Sequence, residues 1–122
     1  MATTNRKPLR LELETAEGTA VLRVIGSAGV DQAQRLQEKL EELAAKRVPL
    51  VVLDLGAMDF ISSMGLGAII AGHLRARRHN GEIRLACPQP AVWQLLETTR
   101  LTKLFAVFPS VQEALQAPRG GG

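Results

Sequence analysis

Two adjacent serines, Ser62 and Ser63, are the residues of this sequence best placed to do chemistry. They follow an apolar run and precede apolar residues at helical spacing, so both hydroxyls should lie at the surface at a helix N-terminus. A hydrolase nucleophile needs a Gly-x-Ser-x-Gly turn, a base and an oxyanion hole, but Ile61 stands two residues before Ser63. A phosphate-binding loop needs more glycines and a following lysine. The pattern therefore disfavours acyl transfer and nucleotide hydrolysis.

Two roles remain open for the serine pair. A serine at a helix start is most often an N-cap, which stabilises the helix by roughly 1 kcal/mol. Alternatively, a partner kinase could phosphorylate it. The helix dipole and free N–H groups tolerate a phosphate there, so modification would place negative charge in a binding face without melting the helix. The residue types alone favour the cap, and one serine can fill both roles.

The other reactive side chains predict no catalytic, metal or cofactor site. Cys87 is the only cysteine, so no intrachain disulfide can form, and a buried structural thiol is expected. His73 and His79 do not form a metal site with it. We therefore predict that the protein is not an enzyme.

The composition limits the kinds of partner that the protein can be expected to bind. The 122 residues suit one domain. Aromatic residues make up 3%, too few for a surface that stacks nucleic-acid bases. The net charge of +3 is better explained by cations near helix ends than by direct nucleic-acid binding. No apolar run approaches membrane-spanning length, so a cytoplasmic protein without membrane contact is expected.

The hydrophobic pattern predicts an α/β fold with strands that alternate with helices. The first strand should pair antiparallel with the second in a hairpin, and Gly26 to Gly29 should end the second strand. We expect a flexible arm over residues 1–8, a single domain over 9–117 and a disordered tail over 118–122. Strands are predicted at 9–14, 20–25, 51–55, 82–86 and 104–108, and helices from residue 30 or 31 to 46, over 63–78, through 91–96, and after Ser110.

Two segments resemble the central motif of STAS domains, the bacterial anti-sigma factor antagonists: Val52-Leu53-Asp54-Leu55 and Phe60-Ile61-Ser62-Ser63-Met64-Gly65-Leu66-Gly67. The likeness extends over nearly the whole chain, through Gly26, Ala33 and Leu36 upstream and Gly81-Glu82-Ile83-Arg84-Leu85 downstream. The resemblance implies a four- to five-stranded mixed sheet flanked by about four helices, without catalysis.

The resemblance also implies a function. Family members bind an anti-sigma factor that is a serine kinase, and so free the sigma factor. Phosphorylation of a serine at the start of the second helix breaks this binding, and a serine phosphatase restores it. Carried over to this sequence, the predicted partner-binding residues are Gly29, Asp59, Ser62, Ser63, Met64 and Gly65.

The motif departs from the family pattern at its acceptor. The family reads Asp-Ser-Ser-Gly or Asp-Ser-Thr-Gly, and the hydroxyl next to the glycine takes the phosphate. Here Met64 occupies that position, Ser62 replaces the Asp, and Gly29 falls where an upstream acid would lie. Either Ser63, with Ser62 as second choice, is the phosphoacceptor, or the protein is a non-phosphorylated interaction or scaffold module in a signalling or transport complex.

The oligomeric state is predicted to be a monomer or a weak dimer. The alternating segment 9–14 should form an edge strand, whose unpaired backbone groups could pair with a second copy.

Overall fold

The computed structural model describes residues 8–118, which form one mixed sheet and four α-helices. The strands are β1 (Arg10–Ala16), β2 (Thr19–Ala28), β3 (Leu50–Asp54), β4 (Met58–Ile61), β5 (Glu82–Ala86) and β6 (Val107–Phe108). The helices are α1 (Ala33–Ala45), α2 (Ser63–Arg77), α3 (Pro90–Thr98) and α4 (Val111–Gln116), with 3-10 turns at Val30–Gln32 and Leu101–Lys103.

The sheet has the order β1-β2-β3-β5-β6, and β4 pairs with the far end of β2. Strand β1 is antiparallel to β2, and the other pairs are parallel. Strand β3 lies at the centre, and its residues 50–53 are all buried, as a strand covered on both faces requires. The predicted α/β fold, with a hairpin followed by parallel strands, is therefore confirmed. The sheet has six strands, because β4 adds a short strand to those that the pattern indicated.

Strand β2 does not end where the sequence predicted. Gly26 has a φ of +91°. The pairing register shifts between Gly26 and Ser27, where β4 contributes one additional residue, Asp59, as in a bulge. Beyond the bulge, β2 continues to Ala28 and pairs with β4, so that Ala28 lies opposite Ile61. The prediction that residues 26–29 break the strand was wrong because the glycine changes the strand's partner and does not end it.

The two faces of the sheet carry separate cores. Helices α1, α2 and α3 cover one face through residues such as Leu36, Leu66 and Val92. Helix α4 packs on the other face, where Ala114 meets Leu50, Val52 and Ala86. Successive residues of β3 point to opposite faces, which explains why one continuous apolar strand serves both cores.

Two other boundaries differ from the prediction. The last predicted strand, 104–108, reduces to Val107–Phe108, because a 3-10 turn precedes it and Phe105 is buried in the main core. The first predicted helix begins with the 3-10 turn before α1. Residues 1–7 of the predicted arm and 119–122 of the predicted tail lie outside the described residues. Within the described part of the chain, no helix has the length and apolarity to cross a membrane.

Candidate partner-binding surface at the start of the second helix

Ser62 forms the N-cap of α2. Its backbone amide donates to the carbonyl of Ala28 at 2.8 Å, and its Oγ accepts from the amide of Gly65 at 3.1 Å. This bond satisfies one of the amides that a helix start leaves without an intrahelical acceptor. Only 8% of Ser62 is exposed, so the expectation of two surface hydroxyls was wrong for this residue. Ser63, the first residue of α2, is exposed.

Gly65 allows α2 to begin directly against the sheet. A Cβ at this position would lie 2.7 Å from Cγ1 of Ile61 and 3.1 Å from the carbonyl oxygen of Ala28, both closer than ordinary contact. Gly65 is itself buried. Gly65 is one of the predicted partner-binding residues. Because it is buried, it shapes the surface by letting the helix lie close to the sheet, and a partner would contact the residues around it.

Gly29 and Asp59 flank the same helix start from β2 and β4. The Ser27 hydroxyl donates to Oδ1 of Asp59 at 2.7 Å, which ties the two strands together at their ends while Asp59 stays exposed. Gly29 directly follows β2 and is partly exposed, and nothing lies within 4 Å of where its Cβ would stand. The structure therefore brings the predicted residues together near the helix start, and leaves open space beside Gly29.

The outward face of α2 is apolar. Met64 is 58% exposed and Leu74 is 53% exposed, with Gly67 between them at helical spacing. Val30, just before α1, is 59% exposed and lines the same groove as Met64. We call Val30, Met64, Gly67 and Leu74 the apolar surface. Val30 and Met64 share one groove, whereas Leu74 lies ten residues beyond Met64 along α2, so Val30 and Met64 are the best candidates for contact with a partner.

Sequence reasoning missed Val30 and Leu74 as parts of this surface. A signal was present, since α2 carries no Asp, Glu, Lys or Arg before Arg75, over three helical turns. A helix that is apolar on all sides is expected to be covered on all sides. Its inner side packs on the sheet and on α1, where Gly72 lies against Leu40. Met64 and Leu74 on its outer side stay more than half exposed within residues 8–118.

The remaining reactive groups serve the fold. The Cys87 thiol donates to Oδ1 of Asp54 at 3.2 Å, and burial, helped by this carboxylate, raises its pKa to about 11. It therefore stays protonated at neutral pH and is a poor nucleophile. Nδ1 of His73 accepts from the amide of Ile83 at 3.1 Å, and burial lowers the pKa of this histidine. Residues 8–118 contain no group of three His, Cys, Asp or Glu side chains that could hold a metal ion.

A family model and several known proteins are similar to this chain. Residues 10–114 match the family model of the STAS domain. The anti-sigma F factor antagonist of Paenibacillus polymyxa is 25% identical over 108 residues, which cover 88% of this chain and 92% of that protein. The anti-sigma-F factor antagonist RsfB of Mycobacterium tuberculosis is 28% identical over 104 residues, covering 85% and 84%. The crystal structure of an anti-sigma factor antagonist from Mycobacterium paratuberculosis matches with a TM-score of 0.81 and 26% identity, covering 88% of this chain and 92% of that one.

Proposed function

The chain belongs to the STAS domain family, and from that premise we propose that it is an anti-sigma factor antagonist whose partner binds at the start of α2. The relatives described above carry the name of such antagonists. The single observation that supports this site is the exposed Ser63 next to Met64 on the apolar surface. The partner we propose is an anti-sigma factor that is also a serine kinase. We place both proteins in the cytoplasm. The antagonist itself is proposed to be a monomer or a weak dimer.

We further propose that Ser63 is the phosphoacceptor. Ser63 is exposed, whereas Ser62 is buried and its Oγ holds the N-cap bond to Gly65. Phosphorylation of Ser63 would therefore leave the cap in place. A phosphate carries close to two negative charges and is strongly hydrated. A partner that covered the neighbouring Met64 would have to strip water from that phosphate, which would oppose binding. A serine phosphatase would restore it.

A second candidate function follows from Met64. Its exposed thioether occupies the position where the family carries the phosphoacceptor hydroxyl. A flexible apolar side chain at that point would strengthen a contact that no phosphate interrupts. In this alternative the protein is a constitutive interaction or scaffold module in a signalling or transport complex.

Phosphorylation can be tested directly. The protein is incubated with ATP and an anti-sigma factor kinase from its own genome, and phosphate is located by mass spectrometry. We expect phosphate on Ser63, none on the Ser63→Ala variant, and continued modification of Ser62→Ala. If neither serine is modified under conditions that modify a control antagonist, the switch is ruled out and the scaffold alternative is favoured.

Binding provides a second test. The affinity of the same anti-sigma factor is measured by calorimetry for the parent protein, Ser63→Asp and Gln112→Asp. Gln112 is exposed on α4, on the opposite face of the sheet, so its variant adds the same charge away from the site. A loss of about tenfold, roughly 1.4 kcal/mol, is expected for Ser63→Asp alone. Equal affinities for all three proteins would contradict the proposed site.

A further inference from the structure

A groove of about 600 Å³ lies beside the apolar surface, between the start of α1 and the start of α2. Val30 and Met64 line it, and they are the two most exposed large apolar side chains of the described residues. Its other lining residues come from the segment 31–41 and include three carboxylates, from Asp31, Glu38 and Glu41. The groove therefore combines apolar contact with negative charge.

The charge of the groove is opposite to that of the chain. The whole sequence has a net charge of +3, yet no Lys or Arg lines the groove. Glu41 forms an ion pair with Arg75 at 3.1 Å. Within residues 8–118, Asp31 and Glu38 form no ion pair, and Glu38 accepts only a neutral hydrogen bond from Gln34 at 3.0 Å. Two negative charges thus remain without a cation beside two exposed apolar side chains.

We propose that this groove binds a segment of the partner protein in which cationic side chains flank an apolar one, as on an amphipathic basic helix. The cations would pair with Asp31 and Glu38, and the apolar side chain would lie on Val30 and Met64. The proposal deepens the proposed function, since it specifies the chemistry by which the anti-sigma factor recognises the protein. Ser63 does not line the groove, so the pairing of cations with Asp31 and Glu38 is proposed independently of phosphorylation at Ser63.

The probe is a fluorescein-labelled helical peptide of about 16 residues that contains only leucine and lysine. Its anisotropy is compared with that of a leucine and glutamate peptide of the same length and pattern. Binding of the lysine peptide alone is expected, with an affinity that falls as salt is raised from about 50 mM to about 300 mM. Equal binding of both peptides, or no binding of the lysine peptide, would overturn the proposal.

Matched double variants localise the binding. Asp31→Asn with Glu38→Gln removes the two unpaired charges of the groove. Glu14→Gln with Glu97→Gln removes two exposed carboxylates from β1 and α3 and changes the net charge equally. We expect the groove variant to bind the lysine peptide about 3- to 10-fold more weakly, from two exposed pairs, and the control to change less than twofold. Equal losses in both variants would show that only net charge matters and would overturn the proposal.

Two further measurements separate this proposal from the proposed function and from self-association. If an anti-sigma factor binds the parent protein and the groove variant equally, the groove proposal fails while the function stands. If the groove variant loses the peptide although no anti-sigma factor binds the parent protein, the function fails and the groove stands. A dimer seen by sedimentation in the parent protein and abolished in the groove variant would assign the groove to a second copy and overturn the choice of partner.

Discussion

The side chain of Ser62 accepts a hydrogen bond from the backbone amide of Gly65, 3.1 Å away, across the first turn of α2. This bond separates the two serines of the motif by role. Ser62 is buried and holds the helix start, whereas Ser63 is exposed beside Met64. The serine that the cap leaves free is the one that a kinase could reach.

The cap predicts unequal effects of two alanine substitutions. Ser62→Ala removes the acceptor for the amide of Gly65 and is expected to lower the free energy of unfolding by about 1 kcal/mol. Ser63→Ala removes an exposed hydroxyl and should change it by less than about 0.5 kcal/mol. Urea denaturation of the parent protein and both variants measures the difference. Equal stability of the two variants would show that the cap does not stabilise α2.

The surroundings of Gly65 and Gly67 in α2 predict that substitution by alanine changes the free energy of unfolding in opposite directions. Gly65→Ala would press a methyl group against Ile61 and the carbonyl of Ala28, and is expected to cost about 1–3 kcal/mol of stability. Gly67→Ala enters open space on the same helix and should stabilise the protein by about 0.5–1 kcal/mol. Thermal and urea denaturation of both variants test this. The packing argument fails if Gly65→Ala is as stable as Gly67→Ala.

Because His73 is buried and accepts a hydrogen bond, we expect the protein to lose stability in mild acid. Burial and the nearby Arg77 lower its pKa below the ordinary 6.5, while Glu82 opposes the shift, and its Nδ1 must be unprotonated to accept from Ile83. The unfolded chain therefore binds the proton at a higher pH than the folded protein does. The contribution of neutral His73 to the free energy of unfolding is fully present above pH 6.5, and it is lost as the pH falls through the lowered pKa.

We therefore expect the free energy of unfolding, measured from about pH 7.5 down to about pH 5.5, to fall once the pH drops below 6.5. Ordinary carboxylates stay ionised over this range. The His73→Gln variant keeps a neutral hydrogen-bond acceptor and should show a flatter dependence on pH. Parallel pH profiles for the two proteins would exclude His73 as the cause.

The contacts of Arg84 predict that the packing of α4 on the sheet depends on this one buried cation. The guanidinium is 1% exposed, and its Nη1 donates to the carbonyls of Ala114 and Ala117 at 2.7 Å each. Its Nη2 donates to Glu82 at 3.1 Å and to the carbonyl of Pro118 at 3.0 Å. These bonds tie the end of the helix to β5 and place a positive charge at the negative end of its dipole.

The Arg84→Lys variant keeps the charge but cannot reproduce this planar set of donors, so it should lower the free energy of unfolding by about 2–4 kcal/mol. Amide hydrogen exchange in α4 should accelerate more than exchange in α1. Arg23→Lys, on the half-exposed Arg23, is the matched control and should have little effect. Uniformly faster exchange throughout the chain would indicate a general loss of stability without release of α4.

Local patterns were sufficient for most of the helices and strands. The alternation over β1, the continuous apolar run of β3 and the proline before it predict those elements, because strand period and chain breaks depend on near neighbours. The last helix was predicted to follow Ser110, and the Oγ of Ser110 accepts from the amide of Glu113 at 3.1 Å as its N-cap. The serine motif indicated the family, which the match over residues 10–114 confirms.

The parts that local patterns could not predict depend on contacts between distant segments. Strand β4 has only four residues, and it pairs with β2 from Gly26 onward, beyond the stretch of β2 that pairs with β3. Which serine is buried depends on the carbonyl of Ala28, which lies more than thirty residues earlier in the chain and accepts from Ser62. The burial of Arg84 likewise depends on distant residues, because the carbonyls of Ala114 and Ala117, some thirty residues later, accept from its guanidinium.

By itself, then, the sequence determined the order of elements, the family and the serine pair as the centre of interest. These follow from residue spacing along one helix or strand, where each residue's neighbours are known. Only the tertiary structure decided that Ser63 is the exposed serine and that Val30 joins Met64 in one acidic groove. The burial of Ser62 and the lining of the groove depend on contacts between α1, α2 and the sheet, which are distant in the sequence.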